Sequence, residues 1–191
     1  MIKLMHVFSL DLATPAHTQA LGECIADYLK TTGATGFKLY LQGDLGAGKS
    51  TLTRAILRRL GVTGTLRSPS YALLEPYEAV LSSGGTLHHF DFYRLDASPL
   101  AWREAGFADA FEAPHAAVVE WPQYAQGLPA PDVEIVLSVL DVLDLGLAAQ
   151  NNLHDSDSDS NAEPQAQPRS AVCSISSEHP ALLAALKKLQ A

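Results

Sequence analysis

The sequence predicts a three-layer α/β domain whose central sheet contains both parallel and antiparallel strands. Within the first 61 residues, strand-like segments alternate with amphipathic helices, as they do in parallel β-α units. Beyond residue 70, strand-like segments follow one another through turns, which is typical of antiparallel pairing. A chain of 191 residues, 47% hydrophobic and 18% charged, is long enough for one such domain with its own core.

The first part of the chain contains two strand-helix units. A strand is predicted at the start, followed by a helix that opens at Thr14 and Pro15 and ends near Gly33. A second strand, FKLYLQ, is predicted at 37–42. A second helix is predicted at 50–61, where apolar residues recur on one side and a final glycine favours a left-handed C-cap.

The rest of the chain adds strands and two more helices. YALLEPYEAV and TLHHFDFYRL flank the turn sequence SSGG and predict a hairpin over 71–95. A helix is predicted over about 100–111, and the apolar run AAVVEW predicts a buried strand at 116–121. DVEIVLSVL at 132–140 and SAVCSIS at 170–176 predict two strands that pair antiparallel, and PALLAALKKLQ predicts a closing amphipathic helix.

One segment, residues 148–168, differs from the rest in composition. Aspartates alternate with serines there, and large apolar residues are almost absent. Such a segment cannot bury enough apolar surface to order itself, and it lacks the glycine and terminal glutamate of a calcium-binding loop. We therefore predict a single domain made of residues 1–147 and 169–191, with 148–168 as an acidic, disordered loop insertion.

The net charge and the hydropathy of the chain argue against some classes of function. The net charge of -8 argues against a broad basic face that would hold nucleic acid, so contact with RNA is expected to need a partner protein. No apolar run approaches the roughly 20 residues that cross a bilayer, and the polar residues near the start argue against a signal peptide. We expect a cytoplasmic protein without membrane contact, in which Cys24 and Cys173 are buried free thiols.

Residues 43–51 read GDLGAGKST and fit the pattern G-x-x-x-x-G-K-[ST] of a phosphate-binding loop, or P-loop. The motif lies between a predicted strand and a predicted helix, which is the context that a P-loop requires. Backbone N–H groups of residues 45–50 would surround a phosphate at the positive end of the helix. Lys49 would reach the β- and γ-phosphates of a nucleotide, the Ser50 hydroxyl would serve Mg²⁺, and Thr51 would add a phosphate contact.

The motif therefore predicts a P-loop NTPase-like domain. A glycine-rich turn that merely contains a surface lysine is the weaker interpretation in this context. A dinucleotide-binding loop is weaker still, because G-x-G-x-x-G would require a glycine where Thr51 stands.

A P-loop also needs an acidic residue near its metal ion, often at the end of a buried strand. Glu120 ends the run AAVVEW and is the first candidate to hold Mg²⁺, directly or through water. Asp91, in HHFDFYRL, is the second candidate, and a hydrogen bond that fixes the hairpin is its alternative role. Trp102 is predicted in the core, whereas Trp121 packs either near the nucleotide or in the core.

More than one role stays open for other polar residues near these motifs. Ser68 and Ser70 flank Pro69 in RSPSY, where they either sense a γ-phosphate or only scaffold the loop. His88 and His89 point to opposite faces of a strand, so they cannot chelate one metal ion together.

Together and in this order, the motifs resemble the TsaE family (also called YjeE), the bacterial P-loop ATPases required for threonylcarbamoyladenosine (t6A) formation in tRNA. GDLGAGKST is followed by SPSYALLEPY, HFDFYRL, VVEWP and PDVEI, and each resembles a block of the family over most of residues 10–176. The resemblance implies ATP and Mg²⁺ as cofactors, with Lys49, Asp91 and Glu120 as catalytic residues. It implies that Ser50 and Glu120 hold the metal.

The resemblance also implies which residues contact the nucleotide. Thr18, with Gly22, resembles the amino-terminal helix block of the family, and Arg169 resembles an arginine that flanks the adenine. Serine replaces the usual threonine of the family at position 70 and keeps the hydroxyl. The remaining nucleotide-binding residues implied are those of the P-loop: Gly43, Asp44, Leu45, Gly46, Ala47, Gly48, Lys49, Ser50 and Thr51.

The partners that the resemblance implies are TsaD, which transfers the carbamoyl group to adenosine 37 of tRNA, and its companion TsaB. ATP binding and hydrolysis would reset or regulate that complex, and tRNA would be met only through it. Two other functions compete. One is a P-loop small-molecule kinase, for which no arginine-bearing lid stands out. The other is a nucleotide-sensing binding module in which ATP occupancy sets affinity for a partner.

Overall fold

The computed structural model describes residues 4–33, 35–66, 68–69, 72–78, 80–95, 100–140 and 167–190. Strands and helices alternate early in the chain and strands dominate later, as predicted. The strands are β1 Met5–Leu12, β2 Phe37–Gln42, β3 Leu74–Tyr77, β4 Leu87–Asp91, β5 Ala116–Glu120, β6 Val133–Val139 and β7 Arg169–Ser176. The α-helices are α1 Pro15–Thr32, α2 Lys49–Leu60, α3 Ala101–Glu104 and α4 Pro180–Lys187, and 3-10 helices cover Phe107–Phe111, Pro122–Tyr124 and Lys188–Gln190.

Within the described residues the strands form one sheet in the order β1-β7-β6-β2-β5-β4-β3. The centre is parallel, because β2 runs parallel to both β5 and β6, and β4 runs parallel to β5. The outer pairs are antiparallel: β3 with β4, β6 with β7, and β1 with β7. The mixed sheet and the hairpin between β3 and β4 are confirmed. This arrangement brings the carboxyl ends of β2, β5 and β4 to one edge.

Three α-helices pack on one face of the sheet, and shorter helices cover part of the other. Leu21 of α1, Ile56 of α2 and Leu182 of α4 belong to one apolar cluster with inward residues of nearly every strand. On the opposite face, α3 and the 3-10 helix after it cover only the middle strands, around Phe90 and Trp102. Trp102 is fully buried, as predicted. The three layers are therefore complete only over β2, β5 and β4.

The predicted helix boundaries hold for the long helices but not for the segment 100–111. α1 ends at Gly33, whose φ is 63° and whose amide donates to the Leu29 carbonyl at 3.0 Å. The stretch predicted over about 100–111 is helical but interrupted: Gly106 has a φ of 81° and divides the segment into α3 and a 3-10 helix. A left-handed glycine ends an α-helix, because its backbone cannot continue the hydrogen-bonding pattern.

The strands predicted on either side of the acidic segment pair as expected. The register of β6 with β7 runs from Val133 opposite Ile175 to Val139 opposite Arg169. Residues 148–166 of the predicted insertion lie outside the described residues, so the insertion and its domain boundaries stay a prediction.

Cys173 is buried and Cys24 is half-buried. None of the helices in the described ranges is both long enough and apolar enough to cross a membrane.

Close packing between α1 and α2 depends on Gly22. A Cβ on this residue would lie 2.6 Å from the Ala55 Cβ and 3.2 Å from the Ile56 amide nitrogen. We expect Gly22→Val to lower the free energy of unfolding by about 1–3 kcal/mol, because the two helices must separate to admit the side chain. Urea denaturation measures the change. Ala16→Val, on the exposed start of the same helix, is the control and should stay near wild type. Equal stability of both variants would contradict this packing role.

Candidate functional site

The loop between β2 and α2 has the backbone geometry that its glycines permit. Gly43, Gly46 and Gly48 have φ values of 133°, 82° and 107°, in the region that favours glycine. A Cβ on Gly43 would lie 2.2 Å from the Leu137 carbonyl oxygen, whereas a Cβ on Gly46 would meet open space. The loop therefore packs tightly on β6 at its start and leaves its turn open above the first turn of α2. Amides of a first helical turn have no acceptor within the helix, so they face this opening as donors.

Lys49 lies across the opening of the loop. Its Nζ donates to the carbonyls of Gly43 at 2.6 Å and Asp44 at 2.8 Å, and it lies 3.5 Å from the ring centre of Trp121. Burial lowers the pKa of Lys49, and the negative charges of Glu120, Asp91 and Asp44 oppose that shift. Burial therefore opposes the charged form of Lys49. A phosphate in the loop would add a negative charge that favours that form.

Ser50 and Glu120 meet at the same edge of the sheet. The Ser50 hydroxyl donates to Oε2 of Glu120 at 2.7 Å. The carboxylate is 1% exposed, and its other oxygen, Oε1, lies 3.0 Å from the Thr53 hydroxyl and 2.9 Å from Nε2 of His89. Glu120 is the last residue of β5 and is paired with Leu41 of β2. The strand order thus places this acid beside the P-loop serine.

Asp91 lies next to Glu120, because the parallel register of β4 and β5 pairs these two residues. Its Oδ2 accepts a hydrogen bond from the Ser68 hydroxyl at 2.5 Å, and its Oδ1 accepts one from the Tyr93 amide at 3.1 Å. Both predicted roles are therefore compatible: the carboxylate holds the end of the hairpin strand and also lines the cavity described next.

A cavity of about 340 Å³ opens above the P-loop, within the size range of small-molecule sites. Lys49, Ser50, Asp91, Glu120 and Trp121 all line it, together with Leu45, Gly46, Gly48, Thr51, Arg54, Ser68 and Tyr93. In the described part of the chain no cluster of three or more His, Cys, Asp or Glu side chains is placed to hold a metal ion. One carboxylate and one hydroxyl suit Mg²⁺, which usually completes its shell with water and substrate phosphates.

The other predicted nucleotide contacts lie around this cavity rather than in it. Gly43, Asp44 and Ala47 shape the loop, and Asp44 accepts hydrogen bonds from Lys49 and the Ala47 amide. Thr18 is buried on α1, outside the lining of the cavity. Arg169 lies against the loop outside the cavity lining, with its Cδ and Nε 3.4 Å from the position of a Cβ on Gly48. Ser70 falls outside the described residues.

Trp121 combines the two roles that the sequence left open. The residue has a φ of 60°, which turns the chain sharply at the end of β5, and its ring is largely buried. The ring contacts Lys49 on the cavity side. It is tilted against the Tyr93 ring and stacked on the Tyr124 ring, with centroid distances of 4.9 and 5.8 Å. A left-handed non-glycine residue is strained, and such strain is often found at functional sites.

Sequence reasoning missed two residues of the site, Thr53 and His89. Both had a usable signal. Thr53 follows Ser50 by three residues and so lies on the same face of α2. His89 precedes Asp91 by two residues and so faces the same side of β4, whereas His88 packs on the other side near His115. The predicted opposite orientation of the two histidines is confirmed.

Comparison with known proteins gives the family and supports the fold. Residues 12–143 match the family model described as threonylcarbamoyl adenosine biosynthesis protein TsaE. A relative named tRNA threonylcarbamoyladenosine biosynthesis protein TsaE, from Haemophilus influenzae, is 38% identical over 65% of this chain and 78% of its own length. One of the same name from Bacillus subtilis is 31% identical over 64% of this chain and 72% of its own length.

The fold is also similar to that of a solved structure. The crystal structure of YdiB from Bacillus subtilis aligns with a TM-score of 0.63 over 98% of this chain and 97% of its own, at 20% identity, a likeness of fold alone. The predicted P-loop NTPase-like α/β fold is therefore confirmed. Because the family model covers well over half of the sequence, and relatives above 30% identity support it, the chain belongs to the TsaE family of threonylcarbamoyl adenosine biosynthesis proteins.

Proposed function

We propose that this protein is a cytoplasmic Mg²⁺-dependent ATPase that acts with a TsaB-TsaD complex in forming the threonylcarbamoyl group on adenosine 37 of tRNA. The family has its role in t6A biosynthesis. The observation that carries the ATPase proposal is the convergence of a buried P-loop lysine with a serine hydrogen-bonded to a buried acid. Lys49, Ser50 and Glu120 meet at the edge of one cavity.

Each side chain has a role that its position supports. The P-loop amides and Lys49 would bind the β- and γ-phosphates of ATP. Ser50 and Glu120 would hold Mg²⁺, which would supply positive charge to the phosphate oxygens when bound. Asp91 would orient the attacking water and accept its proton, and its hydrogen bond to Ser68 would couple the RSPSY loop to the γ-phosphate.

The proposed partners fit the charge of the chain. A protein with 13 basic and 21 acidic residues is poorly suited to hold tRNA by itself, since binding to the nucleic-acid backbone depends on basic side chains. In this proposal, this chain hydrolyses ATP, and the TsaB-TsaD pair contacts tRNA. ATP binding and hydrolysis would reset or regulate that complex between rounds.

The experiment that tests the proposal is phosphate release from Mg-ATP by this protein alone, and with a TsaB-TsaD pair and tRNA. We expect the pair to accelerate release and Glu120→Ala to abolish the acceleration, because the variant loses the acid beside Ser50. Glu112→Ala, which removes an exposed acid shortly before β5, is the matched control and should behave as wild type.

Two other results would contradict the proposal, and each would favour a different function. Release that appears only when a small acceptor becomes phosphorylated would favour a kinase. If the tRNA product forms normally when hydrolysis is blocked, and partner affinity follows the bound nucleotide, the protein would be a nucleotide-sensing binding module.

A further inference from the structure

The Glu120 carboxylate is held from two separate elements. Its Oε1 lies 3.0 Å from the Thr53 hydroxyl of α2 and 2.9 Å from Nε2 of His89 on β4. Its Oε2 lies 2.7 Å from the Ser50 hydroxyl at the cavity. The side chains of Thr53, His89 and Glu120 are all buried, with exposures of 0%, 3% and 1%. One oxygen of the carboxylate is thus held inside the protein, and the other faces the site.

The position of His89 follows from the sheet. Alternate residues of β4 face the same side, so Leu87, His89 and Asp91 face α2, and Glu120 on the neighbouring strand β5 faces it too. A carboxylate oxygen accepts hydrogen bonds, so the contact holds Glu120 in the His89 tautomer that carries its hydrogen on Nε2. The Thr53 hydroxyl shares its one hydrogen between this oxygen, at 3.0 Å, and the Lys49 carbonyl, at 3.2 Å, and together with His89 it restrains the carboxyl group from rotating about its terminal bond.

Packing alone does not account for a histidine at this position. In the described part of the chain, the second ring nitrogen of His89, Nδ1, is buried and has no hydrogen-bond partner. Burial of a polar atom without a partner costs stability, and an apolar side chain of similar size would avoid that cost. The neighbouring strand residues facing the same way, Leu87 and Val118, are apolar. The contact with Glu120 is the feature that distinguishes His89 from them.

We propose that His89 and Thr53 are positioning residues for the metal site, which hold Glu120 so that its Oε2 stays directed at Ser50 and the Mg²⁺ of the bound nucleotide. The proposal rests on the proposed function of this site as a Mg-ATP site. Groups that hydrogen-bond a metal-side carboxylate orient it, and their loss typically weakens metal binding by about 10–100-fold.

The test is the Mg²⁺ dependence of nucleotide binding, measured without turnover. A fluorescent non-hydrolysable ATP analogue is titrated at a series of Mg²⁺ concentrations, and again in EDTA. We expect His89→Phe and Thr53→Val to raise the Mg²⁺ concentration for half-maximal binding about tenfold, while binding in EDTA stays as in wild type. His89→Gln keeps an N–H donor near the position of Nε2 and should restore the Mg²⁺ dependence to within about threefold.

His88→Phe is the matched control, because His88 is adjacent in sequence but packs near His115 on the other face of the sheet. It should leave the Mg²⁺ dependence unchanged. Thermal melting of each variant reports whether it folds, and Thr53→Val, which keeps the shape of the side chain, tests the proposal even if His89→Phe does not fold.

The outcomes separate this inference from the function on which it rests. Unchanged Mg²⁺ dependence in a folded His89→Phe or Thr53→Val variant overturns the inference alone. Equal loss of binding with and without Mg²⁺ also overturns it, because the residues would then only support the fold of the cavity. A wild-type protein that binds the analogue with no dependence on Mg²⁺ would overturn the proposed function and this inference together.

Discussion

Replacement of Lys49 by alanine is expected to reduce ATP hydrolysis by about a hundredfold or more, because the variant loses the buried cation that lines the proposed ATP cavity. Phosphate release in the presence of the TsaB-TsaD pair and tRNA measures the loss. Lys187→Ala, which removes an exposed lysine on α4, is the control and should keep full turnover. Turnover near the wild-type rate in a Lys49→Ala protein would contradict the assignment of the P-loop as the ATP site.

Lys49 is also expected to affect the stability of the folded protein. Burial lowers the pKa of Lys49 in the folded protein, so below that pKa the folded state carries a charge that the unfolded state accommodates more easily. Lys49→Met removes this unfavourable charge and keeps much of the side-chain volume. We therefore expect its melting temperature at neutral pH, without nucleotide, to equal or exceed that of wild type. A clear fall would show that the hydrogen bonds to Gly43 and Asp44 outweigh the cost of burying the charge.

Replacement of Asp91 by asparagine is expected to separate ATP binding from ATP hydrolysis. Asparagine keeps the shape of the side chain and an oxygen that can accept from Ser68 or the Tyr93 amide, so the end of β4 should stay in place. It cannot accept a proton from water, and loss of a general base typically slows a reaction by about 10²–10⁴-fold. We expect hydrolysis to fall within that range while affinity for the fluorescent ATP analogue stays within about threefold of wild type.

The control for this prediction is Asp109→Asn, which changes an exposed acid in the 3-10 helix before β5. It should alter neither measurement. Loss of nucleotide affinity in Asp91→Asn would indicate that the carboxylate mainly maintains the cavity. Retained hydrolysis would assign the attacking water to another residue.

The local parts of the fold could be predicted because their signals lie within a few residues of each other. The boundaries of α1 were marked by Thr14, Pro15 and Gly33, and those of α2 by its lysine and Gly61. The break within the helical stretch over about 100–111 was not predicted, because its apolar spacing continues across Gly106, and the left-handed backbone there divides the stretch.

The candidate site, too, could be predicted from the sequence only in part. Glu120 and Asp91 could be chosen from the sequence because each is an acid at the end of an apolar strand pattern. Their pairing across β4 and β5 could not, since strand order and register depend on contacts between residues far apart in the chain. Trp121 contacts Lys49 at the same edge of the sheet, where the backbone of Trp121 is left-handed. No sequence pattern indicated that conformation.

The sequence by itself determined the strand-loop-helix unit that carries the P-loop motif, because a strand, six loop residues and a helix start are a continuous stretch whose conformation its own glycines permit. It also determined the family, through motifs that recur in order along most of the chain. Only the tertiary structure decided how Glu120 is held. The Thr53 hydroxyl, Nε2 of His89 and the carboxylate come from α2, β4 and β5, and they meet because parallel pairing aligns the carboxyl ends of those strands beneath one helix.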